Sequence, residues 1–142
     1  MKEFWTMTRG AFAALGGWLG WFLGGSDGLL RALVLFTAID YATGVLLAVT
    51  ERQLSSAAGF AGLFRKMLIF AFVGIGHALD VNVIGTGHVL RTAVLFFYLS
   101  NEGISLTENA ARLGLPVPAR LKTVLAQLHD RAEKEEDGHG GA

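Results

Sequence analysis

Apolar residues fall into four long runs separated by short polar breaks, and a fifth segment repeats them at helical spacing. The first run, Gly10 to Gly25, is short and rich in glycine. Gly16, Gly20 and Gly24 recur at every fourth position, which sets them on one helix face where small residues let two backbones approach closely in lipid. Trp5, Trp18, Trp21 and Phe22 suit the level of a membrane interface. This segment reads as a crossing helix, with two alternatives open: a helix lying in the interface, and a cleaved signal peptide, against which stand its bulky aromatics and the want of a small-residue cleavage site.

The second run, Ala32 to Thr50, nearly matches the roughly 30 Å hydrocarbon core at 1.5 Å rise per residue. Its nine Leu, Val, Ile or Phe residues supply about −4 kcal/mol toward insertion. Asp40 alone offsets most of that, so this helix depends on its neighbours. A polar loop is expected over Glu51 to Lys66, then a third span from Met67 to about Ile84 that carries His77 and Asp80. Gly85-Thr86-Gly87-His88 signals a turn. The fourth run starts near Val89, stays apolar to Leu99, and continues as a mixed helix to Leu113, where Gly114, Pro116 and Pro118 end it. Beyond the prolines, Leu121, Val124, Leu125 and Leu128 form one apolar stripe on a helix expected over Ala119 to Glu136, followed by a disordered tail from Gly138 to Ala142.

The pattern therefore predicts an all-α integral membrane protein with three to four transmembrane helices (about 10–25, 32–50, 67–84 and 89–113) and a C-terminal cytoplasmic amphipathic helix. Residues 1–114 make the membrane domain and 115–142 the cytoplasmic helix and tail. Composition agrees: hydrophobic residues are 52% of 142 and charged ones 17%, more apolar surface than one small core can hide. Basic residues set the orientation. With both termini and the 51–66 loop in the cytoplasm, Lys2, Arg9, Arg52, Arg65, Lys66, Arg112, Arg120, Lys122, Arg131 and Lys134 are inside, and only Arg31 and Arg91 are outside. Twelve basic residues balance twelve acidic ones, so no net field attracts nucleic acid, and the absence of cysteine excludes disulfides and thiol chemistry.

Against this background the acidic residues Asp40, Asp80 and Glu102 stand out. A charge at the centre of a membrane helix costs about 2.5–3.5 kcal/mol, so each needs water, a partner charge or a proton. Asp40 shares a helix side with Thr43 and Gly44, which suits either pairing inside a bundle or a role in gating. His77 and Asp80 are spaced to hydrogen-bond locally or to meet Arg91. On the fourth helix Tyr98, Asn101, Ser105, Glu108 and Arg112 form a polar face flanked by Glu102 and Asn109. That face is either wet as the helix leaves the membrane, or a surface that meets other subunits or lines a lumen. No metal set, phosphate loop, cofactor motif or catalytic constellation is recognisable.

Specific strings add a resemblance. Asp40-Tyr41-Ala42-Thr43-Gly44 resembles the D-Y-x-T-G segment of the toxin-secretion and phage-lysis holin family. Leu54-Ser55-Ser56, Gly59-Phe60, Gly62 and Arg65-Lys66 resemble the stretch that follows there. Leu90-Arg91-Thr92-Ala93, Phe97-Tyr98 and Asn101-Glu102-Gly103-Ile104-Ser105 resemble its fourth-helix signature, continued by Glu108-Asn109, Arg112-Leu113-Gly114 and Pro116-Val117-Pro118. The resemblance spans about Leu33 to Leu128 and implies a non-enzymatic protein of the bacterial inner membrane. Such a protein oligomerises into holes, depolarises the membrane and lets an endolysin or toxin pass, with the lipid bilayer, its own copies and the endolysin as partners. Asp40, Asn101 and Glu102 are then expected to be shielded at contacts between helices or subunits until assembly brings water to them. A small-ion channel or proton-coupled transporter using Asp40 and Glu102 is the competing reading, and a scaffold recruiting a partner through the last helix is a third. Passage of a folded reporter separates the first from both.

Overall fold

The structure, a computed structural model, describes residues 1–139. It is all-helical, with no strand among the described residues. Helix α1 is Lys2–Phe22, α2 Gly28–Thr50, α3 Ser56–Leu79, α4 Val89–Arg112 and α5 Ala119–His139, and α3 runs on into a π-helical turn, Asp80–Ile84. Two runs, Gly28–Thr50 and Ser56–Ile84, are long and apolar enough to cross a bilayer.

Capping chemistry explains where these helices begin. Asp27 caps α2 by accepting from the Leu30 backbone N–H at 2.9 Å. Ser55 caps α3 the same way, accepting from the Ala58 N–H at 3.2 Å. The Ser55 cap starts α3 well before Met67, so the expected loop shrinks to Glu51–Ser55 and Arg65 and Lys66 lie on a helix. Helix α1 starts at Lys2 rather than Gly10 and stops at Phe22, leaving Gly24 beyond its end with φ +83°. The Gly24 N–H bonds to the Trp21 carbonyl in a C-terminal turn, so Gly24 does not continue the face carrying Gly16 and Gly20. Helix α5 reaches His139, past the expected end at Glu136; of the expected disordered tail, residues 140–142 lie outside the described residues.

Helices α2 and α4 run side by side in the same direction. Arg91 meets Asp27 at one end at 2.5 Å, Asn109 meets Asp40 further along, and Arg112 meets Glu51 at the other end at 2.6 Å. Helix α3 crosses α4 at Gly76, where an added Cβ would lie 3.1 Å from the Arg91 backbone. Leu30, Leu33, Ile69, Val73, Leu95 and Leu99 form the core these three helices share. Among the described residues, helix α1 is held by its C-terminal end, with the Phe22 ring over Gly74. Gly16 and Gly20 have open space in front of them. Helix α5 folds back along α4, with Leu125 buried against Gly103 and Phe36.

Polarity is inverted across this bundle. Thr37, Asp40, Asp80, Arg91, Ser100 and Glu102 are buried. Val34, Leu35, Leu46, Phe64, Met67, Leu68, Phe72 and Ile75 face outward. So many outward-facing apolar side chains on α2 and α3 are unfavourable in water and natural in lipid.

Candidate functional site

Three helices bring one cation and two carboxylates together inside the bundle. Lys66 of α3 donates its Nζ to Asp40 Oδ2 of α2 at 2.5 Å and to Glu102 Oε2 of α4. The side chains of Asp40 and Glu102 are 7% and 8% exposed, whereas Lys66 keeps 18%. Neither acid therefore stands alone in apolar surroundings, and the ammonium offsets the cost of burying both. Asn109 extends the cluster: its Nδ2 donates to Asp40 Oδ1 at 3.0 Å and to Thr43 Oγ1 at 3.2 Å. The small Gly44 leaves room there, since a Cβ on it would sit 3.8 Å from the Asn109 nitrogen.

The cluster forms the floor of a cavity of about 430 Å³ between α2 and α3. Gly44, Ala48, Ala58, Gly59 and Gly62 supply small-residue walls, and the cavity reaches the Gln53–Ser55 segment at the bundle's end. Tyr41 braces it, donating its hydroxyl to the Gly59 carbonyl at 3.1 Å. Arg65 and Ser105 also line it.

A second polar junction closes the opposite end. Arg91, 3% exposed, donates Nε to the Leu23 carbonyl at 2.6 Å, Nη2 to the Gly25 carbonyl at 2.9 Å, and Nη1 to Asp27. One guanidinium thus binds carbonyls at the end of α1 and the carboxylate that starts α2. The hydrogen bond from Arg91 holds the Asp27 carboxyl below its ordinary pKa. Asp80 accepts from the Leu90 and Arg91 backbone N–H groups at 3.0 and 2.9 Å, capping α4 from the neighbouring π turn. It therefore meets the backbone of Arg91, not its guanidinium. His77 packs beside Gly24, and its Nδ1 has no hydrogen-bond partner among the described residues.

Of the residues singled out by sequence, Asp40, Thr43, Gly44, Glu102, Ser105 and Asn109 gather around the first cluster, and His77, Asp80 and Arg91 at the second. Asn101 is half-buried outside the cavity lining, and Glu108 is exposed. Leu125 is buried and Leu128 half-buried, while Leu121 and Val124 remain 45% and 47% exposed. The buried face of α5 is therefore Leu125, Leu128 and Ala132 rather than the whole stripe. Sequence reasoning missed Lys66 and Asp27. Asp27, just before an apolar run, is a helix-start signal; Lys66, adjoining Met67, carried only its charge and its place in the Arg65-Lys66 part of the resemblance, neither of which points to Asp40 or Glu102.

An apolar exterior and two span-length helices around an internal ion cluster point to a helical membrane protein. The bacteriophage holin family matches residues 17–130, and the chain belongs to that family. A probable holin of Bacillus phage phi105 is 33% identical over 123 residues, covering 84% of this chain and 90% of that protein. An uncharacterised Listeria innocua protein is 39% identical, covering 84% of this chain and 85% of its own length, and a 14.9 kDa Clostridium perfringens protein is 36% identical, covering 83% and 89%. No solved structure matches the chain.

Proposed function

We propose that the chain is a multi-pass protein of the bacterial cytoplasmic membrane whose copies assemble into holes, dissipating the membrane potential and releasing a muralytic enzyme. Helices α2, α3 and α4 cross the bilayer, α1 is the candidate fourth span, and both termini are cytoplasmic. The observation that carries this reading is the buried Asp40–Lys66–Glu102 cluster, which joins the two span-length helices to α4 beneath an open cavity. Polar groups within a bilayer are tolerated only inside protein or against water, and they favour association between helices. Membership of the holin family and the phi105 relative support the same conclusion.

In this reading the ion-paired cluster is the resting arrangement of the inserted chain, and the cavity is where water first reaches it. Assembly widens that access, and Asp40 and Glu102 become hydrated rather than paired through Lys66 alone. Inducible expression in bacteria, with and without a co-expressed cytoplasmic endolysin, tests it. Abrupt depolarisation in both cultures, with turbidity collapse only where the endolysin is present, is the expected result. Depolarisation without passage of any folded enzyme would instead mark a small-ion channel or proton-coupled transporter.

A further inference from the structure

Almost every charge on the packed helices α2, α3 and α4 is answered within the chain. Asp40 and Glu102 share Lys66, Arg91 holds Asp27, and Arg112 meets Glu51. Arg31 donates to the Asp27 carbonyl, and Asp80 of the π turn accepts from the α4 backbone. Two charges are left over, one of each sign. Arg65 of α3 and Glu108 of α4 are exposed and have no ion pair or hydrogen bond among the described residues.

Neither stands on an ordinary wet surface. Arg65 lies inside Ser56–Ile84, a run long and apolar enough to cross a bilayer, and Phe64, Met67 and Leu68 around it face outward. Glu108 is the one exposed residue of α4 between Phe97 and Ala110. Its neighbour Asn109 bonds to Asp40 and Thr43, which sets this turn of α4 beside the interior of the span-length α2. An ionised side chain against lipid is costly, and it is tolerated beside water or an opposite charge. Both residues also adjoin the ion cluster. Arg65 precedes Lys66 and lines the cavity, and Glu108 precedes Asn109.

We propose that Arg65 of one copy pairs with Glu108 of a second copy of this chain. The signs are complementary, and a guanidinium binds a carboxylate through two parallel hydrogen bonds, which takes both charges off the lipid-facing surface at once. Every copy carries one of each. It therefore meets one neighbour through Arg65 and another through Glu108, a head-to-tail contact of the kind that closes into a ring. The pairing rests on the assembly into holes proposed above and names the contact that joins the copies. It puts that joint beside the cavity over the Asp40–Lys66–Glu102 cluster.

Charge exchange between two differently tagged full-length chains tests it in bacterial membranes, with an amine-reactive cross-linker whose lysine targets the substitutions leave in place. Arg65→Glu alone, or Glu108→Arg alone, sets like charges together at every contact and is expected to lose the cross-linked complexes that the parent forms. Co-expression of the two variants brings opposite charges together at each mixed contact, and complexes carrying both tags are expected to return to parental abundance. Arg65→Gln and Glu108→Gln, which reverse no charge, are expected to lower the yield without moving the unfolding temperature in detergent, since neither side chain has a partner in its own chain. Single variants that cross-link as the parent does overturn the pairing. A mixture that recovers nothing overturns it too; recovery only when both exchanges are made in one chain places the pair inside a copy. Complexes that follow these charges without depolarising the cell support the pairing and remove the hole-forming function. Depolarisation by a parent chain that yields no complexes overturns the pairing alone.

Discussion

Removing the ammonium of Lys66 leaves two carboxylates facing each other among α2, α3 and α4. Breaking a buried ion pair this way costs about 3–5 kcal/mol, and Lys66→Met should fall near the lower bound because the cavity admits water. Asp40→Asn or Glu102→Gln keeps one Lys66–carboxylate pair and should cost roughly 1 kcal/mol. Thermal unfolding in detergent followed by circular dichroism checks the order, and combining all three substitutions should recover much of the Lys66→Met loss. In cells, Asp40→Asn and Glu102→Gln at equal membrane levels are expected to shift the time of lysis; unchanged timing and extent would mean that hydration of these carboxylates plays no part in opening. The two acids were legible from sequence because a carboxylate in an apolar run demands an explanation. Their partner was not. Lys66 adjoins a polar stretch rich in Ser, Ala and Gly, and basic residues beside a span normally report orientation.

At the scale of helices, the Arg91 junction and the Gly76 crossing set how the elements meet. The Asp27 carboxyl has a folded pKa below its unfolded one, so its contribution to stability is complete above the unfolded value, about 3.9, and is lost as pH falls through the lower folded value. Melting temperature in detergent should therefore drop at the acid end for the parent protein, and this component should vanish in Asp27→Asn. Gly76→Val would push a branched side chain against the Arg91 backbone, and overpacking there should cost about 1–3 kcal/mol with α3 and α4 forced apart. Gly16→Ala, in the interior of α1 and facing open space, is expected to hold or slightly raise the unfolding temperature through helix propensity while testing the small-residue face for contacts between copies. The end of α4 at Gly114 could be read from glycine and proline punctuation, and the structure ends that helix at Arg112, just before Gly114. The start of α3 could not be read from hydrophobicity, because a serine cap followed by Ala and Gly builds helix without an apolar signal. Gly24 misled for a related reason: its spacing fits the small-residue repeat, but the structure uses its positive φ to end the helix.

Over the whole molecule, insertion and permeabilisation should depend on different parts of the chain. The outward-facing Leu, Val, Phe and Ile residues of α2 and α3 drive insertion, and the ion cluster that compensates their buried acids lies wholly within α2, α3 and α4. No described residue of α5 belongs to that cluster. A chain truncated after Pro118 is therefore expected to reach the membrane and resist alkaline extraction as the full chain does. Without α5, however, the Gly103 notch and the Phe36 ring lose their cover, and the charged surface that returns along α4 is gone. The truncated protein should form complexes of altered size after cross-linking in membranes, and should fail to release a folded reporter enzyme at expression levels where the full chain does. Equal complex size together with undiminished reporter release would show that α2–α4 suffice to build the hole and that α5 is dispensable to it.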